Sequence, residues 1–243
     1  MNTQRLAPGA FRSNATAAGV LFLITHVGSI GAAALYGPVL YDGSAEVGPV
    51  ADALVLGGAL LEVVTALAVV GTAVALYPAA RRQREGLALG YVGLRTLESA
   101  ILALGVIALL LWVTVQQLAA TAGANSEALT ALSTALAEFH RLAYLVGPGL
   151  VCGVNTVVIA TLLYQSRLVP RLIPTLGLIG GPLVLALTVF TLIGEIPAWS
   201  GLMVLPIFAW ELSLALWLIS KGFNREAVVA APRAVSVELA LAA

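Results

Sequence analysis

Charge is scarce in this chain of 243 residues. Asp, Glu, Lys and Arg make up 10% of it, against 60% for hydrophobic side chains. A soluble domain carries about a quarter of its residues as charges. The shortfall leaves too little polarity for a water-facing surface and excludes both a soluble monomer and a disordered chain. Basic and acidic residues are equal at 12 each, so there is no cationic excess for a nucleic-acid partner. Cysteine is limited to Cys152, which rules out an internal disulfide and a cysteine metal cage. Histidine is limited to His26 and His140, and lysine to Lys221. That preference for arginine, with abundant Ala, Val, Leu and Gly, points to a GC-rich bacterial source. Neither an HExxH zinc motif nor a GxSxG nucleophile elbow occurs.

What the chain does have is long apolar runs. A membrane-crossing helix needs roughly 20 such residues. Six runs qualify: Ala17–Tyr36, Ala53–Tyr77, Leu87–Val115, Arg141–Tyr164, Leu172–Gly194 and Ser200–Ser220. They are too long for barrel strands of about 10 residues and do not alternate in polarity. No Asp falls inside them, which excludes a two-aspartate membrane protease. The expected fold is an all-α integral-membrane bundle of six transmembrane helices. It forms a single polytopic domain over 1–243, with a core of about 12–224 and a flexible cytoplasmic tail at 225–243.

Orientation follows from the connecting segments. Arg5 and Arg12 precede the first run; Arg81, Arg82 and Arg84 lie between the second and third. Arg167 and Arg171 lie between the fourth and fifth, and Lys221, Arg225 and Arg233 follow the sixth. The opposite loops carry Asp42, Glu46, Asp52, Glu127 and Glu195 without Lys or Arg. By the positive-inside rule both termini are cytoplasmic, in a multi-pass protein of the bacterial cytoplasmic membrane whose immediate partner is the lipid bilayer. The first run reads as a retained anchor rather than a cleaved signal, because its charged lead-in is long and His26 interrupts it. Tyr36, Tyr41, Tyr77, Tyr91, Tyr164, Trp112 and Trp199 lie near run ends, as interfacial aromatics do. Ala124–Phe139 repeats Leu129, Leu132, Leu136 and Phe139 at helical spacing; it is either a helix on the outer surface or the start of a longer fourth helix.

Small residues recur four apart at Gly86/Gly90, Gly149/Gly153 and Gly177/Gly181, a spacing that lets helix backbones approach closely in lipid. Pro182 and Pro206 fall inside runs. A proline there removes a backbone hydrogen bond, and for Pro206 the carbonyl released is that of Leu202.

The polar residues inside the runs carry the functional argument. Counting about 1.5 Å per residue places His26 about 15 Å from the inner end of its run, Arg95 about 12 Å and Glu98 about 16 Å from the inner end of theirs. Glu62 and Glu211 lie about 14 and 16 Å from the outer ends of theirs. All five fall near mid-membrane, where a charge costs roughly 2.5–3.5 kcal/mol on insertion scales. They are expected to face one another, with Arg95 bridging Glu98 and one or both of Glu62 and Glu211. Three carboxylates then face one fixed cation. Protonated acids, His26, or a cation or cationic ligand must make up the difference. A second group, Glu138, His140 and Arg141, is placed at the outer start of the fourth run, where Arg141 is expected to pair with Glu138 or Glu195. Asn155 lies deeper in that run, and Cys152 reads as inert packing.

Several stretches together resemble a known family: GTAVALYPAARRQREGLALGYVG at Gly71–Gly93, GPGLVCGVN at Gly147–Asn155, SRLVPRLIPTLGLIGGPL at Ser166–Leu183 and WELSLALWLISKGF at Trp210–Phe223. The resemblance, over roughly Arg12 to Asn224, is to the bacterial multi-pass integral-membrane family catalogued as domain of unknown function 4386. It implies a multi-pass membrane protein and brings no substrate, cofactor or catalytic residue. The first expectation for function is a structural or accessory membrane protein with a buried Glu/Arg cluster, working with a membrane-protein partner or as a homo-oligomer. The alternatives are a small transporter or proton- or cation-conducting protein using that cluster, and an intramembrane enzyme. No cofactor is expected. A cavity reaching the carboxylates favours transport; a dry, fully paired cluster favours the scaffold.

Overall fold

The computed structural model describes residues 11–41, 48–122, 126–196 and 199–230. Among these residues every regular element is helical. Five helices are long and apolar enough to cross a membrane: Arg12–Leu40, Pro49–Thr121, Glu127–Ser166, Leu172–Leu192 and Ser200–Ser220. Large apolar side chains such as Leu60, Leu67, Val74 and Ile107 point out of the bundle, as lipid-facing residues must where no water is available. Asp42 and Glu46 of the expected outer loop, Arg5, and 231–243 of the expected tail lie outside the described residues.

Helix α1 spans Arg12–Leu40. Helix α2, Pro49–Ala122, is folded back on itself: it is helical throughout except at Arg84, where φ is −150° and ψ is 95°. Ser99 Oγ donates to the carbonyl of Ala66 at 2.8 Å, and Gln117 Nε2 donates to Asp52 at 3.2 Å. In a straight helix the first pair would stand about 50 Å apart. The arms 49–83 and 85–122 are therefore antiparallel neighbours, and each exceeds the length a crossing needs.

Helix α3 (Ser126–Tyr144), a π-helical stretch Leu145–Val151 and helix α4 (Cys152–Ser166) follow without a break. The amphipathic segment is thus the start of a longer fourth helix and not a separate surface helix. Pro148 explains the π-turn, since it has no N–H for the α-helical bond and the backbone widens around it. Helix α5 is Leu172–Leu192. A 3-10 turn, Ser200–Val204, leads into α6, Leu205–Ser220. Pro206 sits in the first turn of α6 rather than interrupting it, and the Leu202 carbonyl accepts from the Leu205 N–H. Helix α7, Arg225–Ala230, forms the beginning of the expected tail, with Val228 buried.

The glycine pairs divide. A Cβ on Gly181 would stand 2.8 Å from the Gly153 carbonyl oxygen, so α4 and α5 touch through backbone. Gly86 and Gly90 have nothing within 4 Å, and close packing is not their role. At one end of the bundle the basic segments meet. Arg12 Nη2 donates to the Ile219 carbonyl at 2.6 Å, Arg84 to Gln165 at 2.6 Å, and the Asn224 N–H to the Leu168 carbonyl at 2.8 Å. A large apolar core that includes Phe22, Leu76, Tyr91, Leu163, Trp210 and Leu214 fills that half. A second core around Tyr36, Val55, Leu109 and Trp112 fills the other. On α1 and both arms of α2 the buried polar residues fall between the two.

Candidate intramembrane site

Arg95 and Glu98 lie three apart on the second arm of α2, and each is almost wholly buried. Arg95 Nη1 donates to Glu98 Oε1 at 3.2 Å and Oε2 at 3.0 Å, and its Nε donates to the Tyr91 hydroxyl at 3.1 Å. The guanidinium also lies 5.4 Å from the centre of the Phe22 ring. Asn155 Nδ2, from α4, donates to Glu98 Oε2 at 2.5 Å. Glu98 is thus a fully engaged carboxylate, held from two helices.

Glu211 on α6 is held differently. Its Oε1 is 3.7 Å from Arg95 Nη2, and its Oε2 is 3.5 Å from His26 Nε2. Both separations exceed the 2.7–3.2 Å of a well-formed N–H···O bond. His26 Nδ1 is 2.8 Å from the Phe22 carbonyl oxygen. A carbonyl only accepts, so Nδ1 carries a hydrogen and Nε2 is the atom free to gain or lose one. Nε2 and Oε2 therefore face each other across 3.5 Å, and one proton between them decides whether they attract. With the proton they form an imidazolium–carboxylate or imidazole–carboxylic acid pair; without it two lone-pair atoms oppose each other.

A cavity of about 250 Å³ adjoins this group, with His26, Arg95, Glu98, Cys152 and Glu211 in its wall. Ile30, Val204, Ile207 and Phe208 add an apolar lining. Cys152 thus borders the cavity as well as packing in the core. Among the described residues no three His, Cys, Asp or Glu side chains are arranged to hold a metal ion.

Glu62 is not in this group. It accepts from the Tyr36 hydroxyl at 2.8 Å and meets His140 Nε2 at 3.0 and 3.1 Å. His140 Nδ1 meets the Tyr41 hydroxyl at 2.6 Å, and the Tyr36 ring stands edge-on to the imidazole at 4.9 Å. Ser29 and Tyr144 hydrogen-bond alongside. His140 likewise departs from its expected company. Arg141 Nε donates to Glu138 Oε2 at 2.7 Å, and both of those side chains are exposed. His140 points the other way and is buried. The physical reason is helix length and rotation. Helix α3 begins at Ser126, so residue 140 lies about 21 Å from its start rather than at an end, and the next residue projects about 100° further round.

The five residues expected at mid-membrane thus fall into two sites. His26, Arg95, Glu98 and Glu211 line the cavity; Glu62 joins His140. Tyrosines complete both. Tyr36 and Tyr91, read from sequence as interfacial, are buried at 3% and 2% exposure, and Trp112 at 5%. The Tyr91-x-x-x-Arg95 spacing was the available signal, since residues four apart share a helix face.

The profile of the family described as Domain of unknown function (DUF4386) matches residues 17–222, and the chain belongs to that family. No match was found among curated proteins or solved structures.

Proposed function

We propose that this DUF4386 protein is a small transporter of the bacterial cytoplasmic membrane, in which His26 and Glu211 exchange a proton and the adjoining cavity receives a solute. The observation that carries this reading is the cavity of about 250 Å³ bordering an ion pair left open at 3.5 Å. A purely structural clasp closes around its charges, because a desolvated ion without tight partners is costly. Glu62 and His140, bonded to each other and to Tyr36 and Tyr41, suit that structural role. They clasp α1, the first arm of α2 and α3, while the looser group beside the cavity handles the exchange.

In this reading the two arms of α2 cross separately, for six crossings with both termini cytoplasmic. The gathering of Arg12, Arg84 and Lys221 with the Arg167 turn at one end of the bundle supports the orientation.

The test is charge movement in proteoliposomes on a solid-supported membrane after a pH step. The parent protein should give a transient current that Glu211→Gln abolishes, because an amide cannot release a proton. Glu138→Gln, in the exposed outer pair, should leave the current unchanged. No protein-dependent current, or an unaltered one in folded Glu211→Gln, overturns the reading.

A further inference from the structure

The cavity specifies the charge of its occupant. His26 Nδ1 is committed to the Phe22 carbonyl, so a neutral His26 contributes no charge. Arg95 contributes one positive charge; Glu98 and Glu211 contribute two negative ones. The other polar groups on the site are Thr25, Ser29, Thr65, Tyr91, Asn155 and Cys152, and none is a fixed charge. From α5 the wall receives only Val184 among the described residues. The unprotonated site thus carries one net negative charge, and one proton or one monovalent cation neutralises it. Glu98 is saturated by Arg95 and Asn155. The charge left over resides on Glu211, whose nearest fixed cation, Arg95 Nη2, is 3.7 Å away, with the neutral His26 Nε2 at 3.5 Å.

The way in specifies the occupant's body. Ile30 on α1, Val204 at the end of the 3-10 turn and Phe208 in the first turn of α6 line the cavity and are also exposed on the outer surface of the bundle. His26 and Glu211 behind them are only 15% exposed. The mouth is therefore apolar and lies on the flank of the helices, where acyl chains meet the protein. The Phe208 ring packs edge-on against His26 at 5.1 Å, placing an aromatic beside the path, a group that attracts cations. The volume of about 250 Å³ falls below the roughly 300–1,000 Å³ of pockets that enclose drug-sized ligands. A larger apolar body must extend through the mouth into lipid.

We infer that the cavity binds a lipophilic monovalent cation, entering sideways from the bilayer between α1 and α6, in exchange for the single proton shared by His26 and Glu211. This rests on the reading of the cavity as a solute site and names the class of solute. The exchange balances: the cation arrives at Glu211, one proton leaves, and the net charge of the site stays at zero. An anion is disfavoured because the guanidinium of Arg95 is already engaged by Glu98 and Tyr91. A neutral ligand leaves the proton in place and its binding does not sense pH.

The experiment uses the whole protein in phosphatidylcholine nanodiscs, with radiolabelled methyltriphenylphosphonium as cation and triphenylphosphine oxide as its uncharged counterpart. Binding of the cation should saturate and weaken as pH falls, approaching tenfold per pH unit on the acid side, the slope of one-for-one exchange. The oxide should compete poorly. Glu211→Gln should lose cation binding. Because that variant can fail to fold, proton release is measured on the parent protein in weak buffer, and one proton should appear per cation bound. Saturable binding without pH dependence, equal binding of the oxide, or no proton release overturns the inference. A pH-step current without cation binding also overturns it and leaves the proton-exchange reading standing; loss of both ends both.

Discussion

His140 and Glu62 meet at 3.0 Å although 78 residues separate them, and both are buried. Removing one partner of a buried pair strands the other, at a typical cost of about 3–5 kcal/mol. His140→Ala should therefore lower the unfolding temperature and the yield of monodisperse protein in detergent. Glu62→Gln keeps an acceptor for the Tyr36 hydroxyl and should cost about 1–2 kcal/mol. A thermal melt followed by tryptophan fluorescence decides it; His140→Ala as stable as the parent would show that the pair is not formed.

Arg95 should matter more to folding than either of its acids. Arg95→Ala leaves Glu98 and Glu211 without their cation and should cost about 3–5 kcal/mol, softened where a carboxylate takes up a proton. Glu98→Gln retains hydrogen bonding to Arg95 and should cost about 1–2 kcal/mol. The ranking is checked by melts of both variants in the same detergent, and a reversed order would undo the assignment of Arg95 as the organising charge.

The exposed pair Arg141–Glu138 should be nearly silent. Its 2.7 Å contact is short, but exposed pairs contribute only about 0–1 kcal/mol. Neither Arg141→Ala nor Glu138→Ala should shift the melt by more than this, and a double-mutant cycle should give a coupling near zero.

Two glycines should respond in opposite directions. Gly181→Ala drives a methyl to 2.8 Å from the Gly153 carbonyl. That contact is backbone and cannot swing aside, so α4 and α5 must separate and stability should fall. Gly86→Ala meets nothing within 4 Å and should stabilise by about 0.5–1 kcal/mol through helix propensity. Melts of the two variants pointing the same way would contradict the packing described between α4 and α5.

The orientation is open to reporter fusions. A reporter active only in the cytoplasm should work when fused after Phe223 and should fail when inserted near Asp42. An inactive fusion at Phe223 would reverse the assignment of sides.

The all-helical character and most helix positions were legible because long apolar runs and clustered arginines are one-dimensional signals. The register between helices and the rotation about each were not, because counting residues along one run fixes neither. With Ser99 opposite Ala66, Glu62 stands about 12 Å along the axis from Arg95 and meets different neighbours, and no count of residues along one run gives its register against the next. His140 lies well inside a helix rather than at its outer end, because the apolar run beginning at Arg141 is only the later part of a helix that starts at Ser126. The π-turn at Leu145–Val151 adds a further rotation that no α-helical period anticipates. The cavity itself left no trace in the sequence, being space enclosed in part by apolar side chains such as Ile30, Val204 and Phe208 that each looked ordinary.

The contact between Arg12 and the end of α6 has a mechanical consequence. Helices α1 and α6 are adjacent although they lie far apart in the chain, and no short loop bridges the seam between them. Near the basic end it is pinned by Arg12 and by the approach of Gly19 to the Ala215 carbonyl. Toward the other end lie Ile30, Val204 and Phe208 at the mouth of the cavity. Widening there stretches no connecting loop and leaves the pinned end in place, so the bundle can hinge open like a book at the edge facing its own charges.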